Sequence, residues 1–161
     1  MDFRIRAARS GDEQSLFALI GELARFEKLE HAVTGDVERL KRHLFGPSPL
    51  AEAVLAESDA GEALGFALFF GNYSTFLTSP GVYLEDLFVI ESARGRGIGR
   101  ALLGEVARIA HERGAGRLEW AVLDWNAKAI AFYESAGATV LPDWRICRVT
   151  GDRLKRLGES T

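Results

Sequence analysis

The feature that most constrains this chain is a glycine-rich stretch at residues 94–100, Arg-Gly-Arg-Gly-Ile-Gly-Arg. An apolar run typical of a strand, residues 82–90, precedes it. After it, apolar residues recur at helical spacing and form one stripe: Ile98, Ala101, Leu102, Val106, Ile109 and Ala110. The stretch is therefore predicted to be a turn at a helix N-terminus, where unpaired N–H groups and the positive end of the helix dipole favour an anion. Together with three arginines, this predicts a site for phosphate or pyrophosphate.

Two common phosphate-binding motifs do not fit this turn. The dinucleotide motif needs a third glycine where Arg100 stands, and the P-loop needs a final Gly-Lys-Ser/Thr. The pattern Arg-x-x-Gly-x-Gly does fit, with Arg94, Gly97 and Gly99. It resembles the acyl-coenzyme A signature of the GNAT superfamily of N-acetyltransferases. The alternative interpretation of the same residues is a tight turn with solvated arginines.

The composition favours one soluble globular domain over residues 1–161. The chain is 47% hydrophobic and 27% charged, and its net charge of −3 argues against a nucleic-acid partner. Cys147 is the only cysteine, which excludes an internal disulfide and indicates a reducing compartment. We expect it to be a buried hydrophobe on a late strand. Neither a membrane span nor a signal-peptide pattern is found, so a cytoplasmic protein is expected.

Local patterns predict alternating strands and helices along the chain. Ser10 and Glu13 form a capping box for a helix ending near Lys28, and Thr34 or Asp36 caps a second helix. The other predicted elements are strands at 3–7, 51–57, 64–70, 82–90, 118–123 and 145–149, a loop at 72–81, helices at about 98–113 and 127–135, and a short basic C-terminal helix. These elements predict an α/β protein with a central mixed, partly parallel sheet flanked by helices.

Two further motifs extend the resemblance to the GNAT fold over nearly the whole chain. Trp125-Asn126 and the segment 131–138 resemble the second GNAT signature, a helix carrying an asparagine and a tyrosine. Residues 22–27, 83–89 and 124–126 resemble the diamine branch, the spermidine/spermine N-acetyltransferases and their thialysine-acetylating relatives. Phe26 stands where the branch often has tyrosine, and residues 139–144 are shorter and less acidic than in the polyamine enzymes. The acceptor amine therefore stays open.

The resemblance implies direct acetyl transfer from acetyl-CoA to a primary amine in a ternary complex. An alkyl ammonium has a pKa of about 10.4, so it must lose a proton before it attacks, and the leaving thiolate must gain one. Glu85 is the expected base, through a bound water, and Tyr133 the expected acid. Period-two alternation separates Glu85 and Asp86 unless a bulge intervenes, as it does in the family. The alternatives are an exposed strand end for the two carboxylates and a core aromatic for Tyr133.

The resemblance also assigns binding residues and an assembly. Asn126 is expected both to cap its helix and to contact the coenzyme. The expected coenzyme-binding residues are Leu87, Phe88, Val89, Arg94, Gly95, Arg96, Gly97, Ile98, Gly99, Arg100, Asn126, Lys128, Ala129 and Tyr133. The expected acceptor-binding residues are Phe26, Glu27, Glu85, Asp86, Glu119, Trp120 and Asp143.

The resemblance implies a homodimer. No metal site is expected, since His31, His43 and His111 lack the spacing of metal ligands. Three other functions stay open. The first is the same chemistry on an aminoglycoside, an amino acid or a protein terminus. The second is a coenzyme A-binding module without catalysis, and the third is a plain interaction domain.

Overall fold

The computed structural model describes residues 3–159. It divides into two compact units, one ending at Ala121 and the other beginning at Val122, and each unit is described by itself. No helix among residues 3–159 is long and apolar enough to cross a membrane.

The first unit is built on a five-stranded sheet in the order β1-β2-β3-β4-β5. Its strands are β1 Phe3–Ala7, β2 Glu52–Ser58, β3 Ala63–Ser74, β4 Ser79–Val89 and β5 Leu118–Glu119. Neighbouring strands from β1 to β4 pair antiparallel, whereas β4 and β5 pair parallel. The predicted mixed, partly parallel sheet is therefore confirmed, and the parallel pair is joined by a helix as such pairs require.

Three helices cover this sheet: α1 Glu13–Glu27, α2 Val37–Phe45 and α3 Ile98–Glu112. Leu16 and Leu19 of α1 and Leu44 of α2 pack with Phe66 and Phe88 of the sheet in one core cluster. The predicted stripe of α3 is buried at Ile98, Leu102, Val106 and Ala110. The predicted helical periodicity is thus confirmed, because the apolar stripe of each helix is the side that packs against the sheet.

The first helix begins as predicted, but with a different cap. The N-cap is Asp12 rather than Ser10. The Glu13 carboxylate accepts a hydrogen bond from the Gly11 N–H at 2.6 Å, and the Asp12 carboxylate forms two hydrogen bonds to Arg6, at 2.7 and 2.8 Å. A strand arginine therefore engages the carboxylate of the N-cap residue, which makes no capping hydrogen bond to the helix. In α2 the predicted cap Asp36 is confirmed, since its carboxylate accepts from the Arg39 N–H at 2.8 Å.

The predicted loop at residues 72–81 is wrong. Here β3 runs on to Ser74 and β4 starts at Ser79, so only residues 75–78 connect them. Polar residues and Gly81 suggested a loop, yet the two strands form a continuous ladder from Asn72↔Gly81 to Ser74↔Ser79. Pairing of the backbone depends on the neighbouring strand more than on the residues' own strand propensity.

The second unit contains α4 Ala127–Ser135 and α5 Gly151–Glu159. Both helices were predicted, but the strand expected at 145–149 is absent from the described residues of this unit, and the strand expected at 118–123 is limited to Leu118–Glu119. None of the side chains of residues 122–159 is buried. Cys147 is accordingly exposed and not the buried hydrophobe that was predicted, because no strand places it in a sheet.

Candidate active site

The glycine turn adopts a backbone that side chains disfavour. Gly95 and Gly97 have φ angles of 77° and 83°, in the left-handed region, and a Cβ at either position would have no heavy atom within 4 Å. Gly97 is the N-cap of α3, and its carbonyl accepts the first helical hydrogen bond from the Ala101 N–H at 3.0 Å. The helix itself therefore supplies no partner for the N–H groups of residues 98–100. Backbone donors beside open space are what an anion needs.

Two residues expected to bind coenzyme have side chains that are buried in the core. Ile98 is 1% exposed and Phe88 is 6% exposed, both within the core. Only the backbone of these two positions can face a ligand. Leu87 and Val89, on either side of Phe88, are partly buried and pair with Ala67 and Gly65 of β3.

A β-bulge lies at Glu85 on β4. The consecutive β3 residues Leu68 and Phe69 face Asp86 and Leu84, so Glu85 is the extra residue between them. Since paired residues share a face and successive residues alternate, Asp86 lies with Leu68 on the face covered by α1, and Leu84 lies on the other. The bulge thus changes which residues of β4 face α1.

The edge of β4 that faces β5 is paired over a short length. Only Val82 and Tyr83 pair with β5, through Leu118 and Glu119. Within the described part of the chain, no strand continues this ladder past Tyr83. The backbone of β4 from the bulge to Val89 therefore has an edge at which an extended ligand can form strand-like hydrogen bonds.

Three carboxylates gather between the bulge and the end of α1. Asp86 is half-buried, and burial together with the negative charges of Glu85 and Glu27 raises its pKa to about 6. Burial also raises the pKa of Glu27, the last residue of α1, whereas Glu85 is exposed. Like charges that crowd in a half-buried position favour a cation beside them.

Arg94, the first residue of the glycine turn, contacts the end of α1. Its Nε donates to the carbonyl of Val89 at 3.0 Å. Its Cζ lies 4.8 Å from the ring centroid of Phe26 and 5.6 Å from that of Phe88. The turn and the end of α1, which were predicted to serve different ligands, are therefore in direct contact.

Glu119, expected on the acceptor side, has partners within the sheet. Its Oε2 lies 2.7 Å from Nε of Arg117 and accepts a hydrogen bond from Nδ2 of Asn72 at 3.2 Å. Its neighbour Trp120 is partly buried just beyond β5. These contacts engage the Glu119 carboxylate in the structure of β5, so it is less suited to an acceptor than the three carboxylates at the bulge.

The remaining expected residues lie in the second unit. The Asn126 side chain accepts a hydrogen bond from the Ala129 N–H at 3.2 Å, so its predicted capping role is confirmed. Lys128 is exposed in the first turn of α4. Tyr133 is partly buried on the same helix, with its ring 5.2 Å from that of Phe132. Asp143 is exposed in a turn between α4 and α5.

Comparison with known proteins decides the family. The family model described as Acetyltransferase (GNAT) family matches residues 18–138, which include both the glycine turn and α4. The chain belongs to the GNAT family of acetyltransferases. The structure of an integron cassette protein from V. cholerae is similar to that of this chain, with a TM-score of 0.81 and 28% identity over 99% of both chains.

Among curated GNAT relatives, a mouse thialysine N-epsilon-acetyltransferase is 37% identical over 96% of both chains. An L-ornithine N5-acetyltransferase of Arabidopsis thaliana is 45% identical over 79% of this chain, and the match spans 52% of that protein's length. Spermidine/spermine N(1)-acetyltransferase-like protein 1 of Homo sapiens is 31% identical over 94% of this chain, and the match spans 23% of that protein's length. The predicted resemblance to this branch is thereby confirmed.

Sequence reasoning missed the contacts that hold the predicted residues. Asn72 and Arg117 position Glu119, but the sequence pattern predicts a loop at Asn72. The contact between Arg94 and Phe26 joins residues far apart in the chain, and no spacing in the sequence indicates it. The YLEDLF segment around Glu85 did contain a signal, since two adjacent carboxylates inside an apolar strand are costly unless the strand is irregular.

Proposed function

We propose that this GNAT protein transfers the acetyl group of acetyl-CoA directly to the primary amine of a small cationic acceptor in a ternary complex. The acceptor class is a diamine, a polyamine or a basic amino acid with a side-chain amine, such as ornithine or thialysine. The observation that carries the proposal is the carboxylate cluster at the β4 bulge, on the strand that leads into the glycine turn.

The carboxylate cluster supports a cationic acceptor. A pKa of about 6 for Asp86 shows that its negative charge is poorly compensated by the protein. An ammonium group beside Glu27, Glu85 and Asp86 would supply that compensation. The exposed ring of Phe26 at the end of α1 adds an aromatic surface of the kind that attracts cations. The curated relatives named for ornithine and thialysine acetylation agree with this class.

The residues at the turn fit a coenzyme with a pyrophosphate. Gly95 and Gly97 leave open space beside the first N–H groups of α3, and Arg96 and Arg100 add positive charge at the same helix end. The unpaired edge of β4 near Leu87 and Val89 suits the extended amide arm of the coenzyme. In this proposal Asn126, Lys128 and Ala129 contact the same arm, as the GNAT resemblance implies. Bound acetyl-CoA supplies the activated acyl group.

The chemistry asks the protein to move two protons. Glu85 accepts the proton of the acceptor ammonium, through a water, and the neutral amine then attacks the acetyl carbonyl. Tyr133 donates its phenolic proton to the departing thiolate, because a phenol with a pKa of about 10 is protonated at neutral pH. The carbon–nitrogen bond forms and the carbon–sulfur bond breaks, and the nitrogen gives up a second proton, which restores the phenol of Tyr133.

The structure offers Asp86 as a second candidate for the base. A carboxylate with a pKa of about 6 is closer to the operating pH than an ordinary aspartate, and this match makes proton transfer efficient. Comparing Glu85→Gln with Asp86→Asn separates the two assignments. The variant that lacks the true base loses the acidic limb of the pH dependence of kcat/KM, whereas the other variant keeps that limb.

A thiol-release assay with acetyl-CoA tests the function. The panel contains thialysine, ornithine, lysine, putrescine, spermidine, spermine and an aminoglycoside, and binding of coenzyme A is measured beside it by thermal shift. Turnover on one of the small cationic amines supports the proposal. Turnover on the aminoglycoside alone refutes the acceptor class, and a coenzyme shift without turnover on any amine refutes catalysis of this kind.

The same proposal includes a homodimer in the cytoplasm, as the diamine branch implies. Light scattering at micromolar protein concentration tests the assembly. A dimer mass is expected, and a monomer mass refutes it.

A further inference from the structure

Arg94 is engaged with the protein in three ways. Its Nε donates to the Val89 carbonyl at the end of β4, and its guanidinium lies against the rings of Phe26 and Phe88. The ring of Phe88 belongs to the core, being 6% exposed, whereas the ring of Phe26 is 41% exposed at the end of α1. Arg94 therefore connects a fixed part of the sheet with a less protected helix end.

We propose that Arg94 is a positioning residue for the acceptor side of the site. It holds Phe26 and Glu27, at the end of α1, beside the bulge of β4, where the amine acceptor binds. The inference rests on the proposed function, because it concerns the acceptor side of the same site. It gives Arg94 a role different from that of Arg96 and Arg100, the other two arginines of the turn.

Backbone hydrogen bonds from the Lys28 and Leu29 N–H groups to the carbonyls of Arg25 and Ala24 close the end of α1, and the Arg94 contact adds a side-chain tie to the same end. Helix termini are the parts of a helix that open most readily, and α1 ends at Glu27 with Lys28 in the left-handed region at φ 60°. Phe26 and Glu27 lie in that last turn. A cation–π contact at 4.8 Å to Phe26 ties the last turn to the glycine turn, which the Val89 hydrogen bond fixes to β4.

The guanidinium is chemically suited to this role. It is planar, so it can stack on a ring while an N–H in its plane donates to a carbonyl, which the compact ammonium of lysine does not combine. The charge of Arg94 does not neutralise the nearby carboxylates, since the pKa of Asp86 is raised and that of Glu27 is raised as well. The cluster therefore keeps its negative field for an acceptor cation.

Steady-state kinetics separate this role from phosphate binding. Arg94→Gln, Arg94→Lys, Phe26→Ala and the Arg94→Gln/Phe26→Ala double variant are compared with Arg96→Gln, a matched control from the same turn. Arg94→Gln is expected to raise the KM for thialysine, or for whichever panel amine is turned over best, by about three- to thirtyfold, the range of a cation–π contact. The KM for acetyl-CoA is expected to rise more in Arg96→Gln than in Arg94→Gln.

The double variant tests the contact itself. If Arg94 acts through Phe26, the double variant is no worse than the worse single variant, and Arg94→Lys recovers only part of the loss. Additive losses in the double variant overturn the proposal. So does an Arg94→Gln variant that raises the KM for acetyl-CoA alone.

Hydrogen exchange gives a readout that needs no substrate. Amides of residues 24–28 are expected to exchange severalfold faster in Arg94→Gln than in wild type, while those of α2 keep their rates. If wild type acetylates none of the amines, the proposed function fails, and this measurement still decides whether Arg94 holds the end of α1. Equal exchange of residues 24–28 in the two proteins overturns the inference.

Discussion

Replacing Asp86 by asparagine is expected to stabilise the protein at neutral pH. The carboxyl is half-buried, next to Glu85 and Glu27, and its pKa is raised to about 6 from the usual 3.8. At about 1.36 kcal/mol per pKa unit, this difference corresponds to a free-energy cost of about 3 kcal/mol when the native carboxyl ionises. The native state binds this proton more tightly than the unfolded chain does. Stability therefore falls as pH rises between about 4 and 6, and the full cost applies above that range.

Asp86→Asn removes this cost without changing the size of the side chain. At about pH 8 the variant is expected to gain up to about 3 kcal/mol in free energy of unfolding, or about 6 to 12 °C in Tm for a chain of this length. The gain is expected to vanish below about pH 4, where Asp86 is protonated in both states. The same variant loses activity, because the carboxylate serves the acceptor amine in the proposed function.

Urea unfolding of wild type and Asp86→Asn across the pH range measures the effect, with Asp59→Asn in the exposed turn between β2 and β3 as the control. The control is expected to show no pH-dependent gain. An equal gain at both ends of the pH range would show that ionisation of Asp86 is not its cause. A loss of stability at about pH 8 would refute the reasoning outright.

Three further predictions concern single positions. Gly97→Ala forces a side chain to φ 83° and is expected to lower the free energy of unfolding by about 1–2 kcal/mol and to weaken coenzyme A binding. The control Gly104→Ala, exposed within α3, is expected to raise the free energy of unfolding by about 0.5–1 kcal/mol. Urea unfolding compares the stabilities of the two variants, and calorimetry compares their coenzyme A binding. Asp12→Asn weakens the paired hydrogen bonds to Arg6 and is expected to cost about 2 kcal/mol at neutral pH. Because those bonds lower the pKa of Asp12, the stabilising effect of its carboxylate is lost as pH falls. The free energies of unfolding of the variant and of wild type are therefore expected to converge at acid pH. Tyr133→Phe is expected to lower kcat about a hundredfold or more while coenzyme A affinity is kept, and unchanged turnover would exclude it as the acid.

The sequence by itself determined the elements whose signals are local. The glycine turn, the stripe of α3 and the Asn126 cap of α4 were predicted where the structure has them, because left-handed glycines, helical periodicity and capping depend on residues a few positions apart. The family was predicted from the same local motifs, residues 94–100 and 125–138, and both lie within the residues 18–138 that the family model matches.

Only the tertiary structure decided how these elements meet. The lengths of β3 and β4 and the face on which Asp86 lies depend on the register between the two strands, which their own residues do not specify. The family resemblance implies a bulge in β4, and the register places it at Glu85. The contact of Arg94 with Phe26, and the raised pKa of Asp86, arise because distant segments pack together. The absence of a strand at 145–149 among the described residues has the same origin, since a strand forms only when another strand pairs with it.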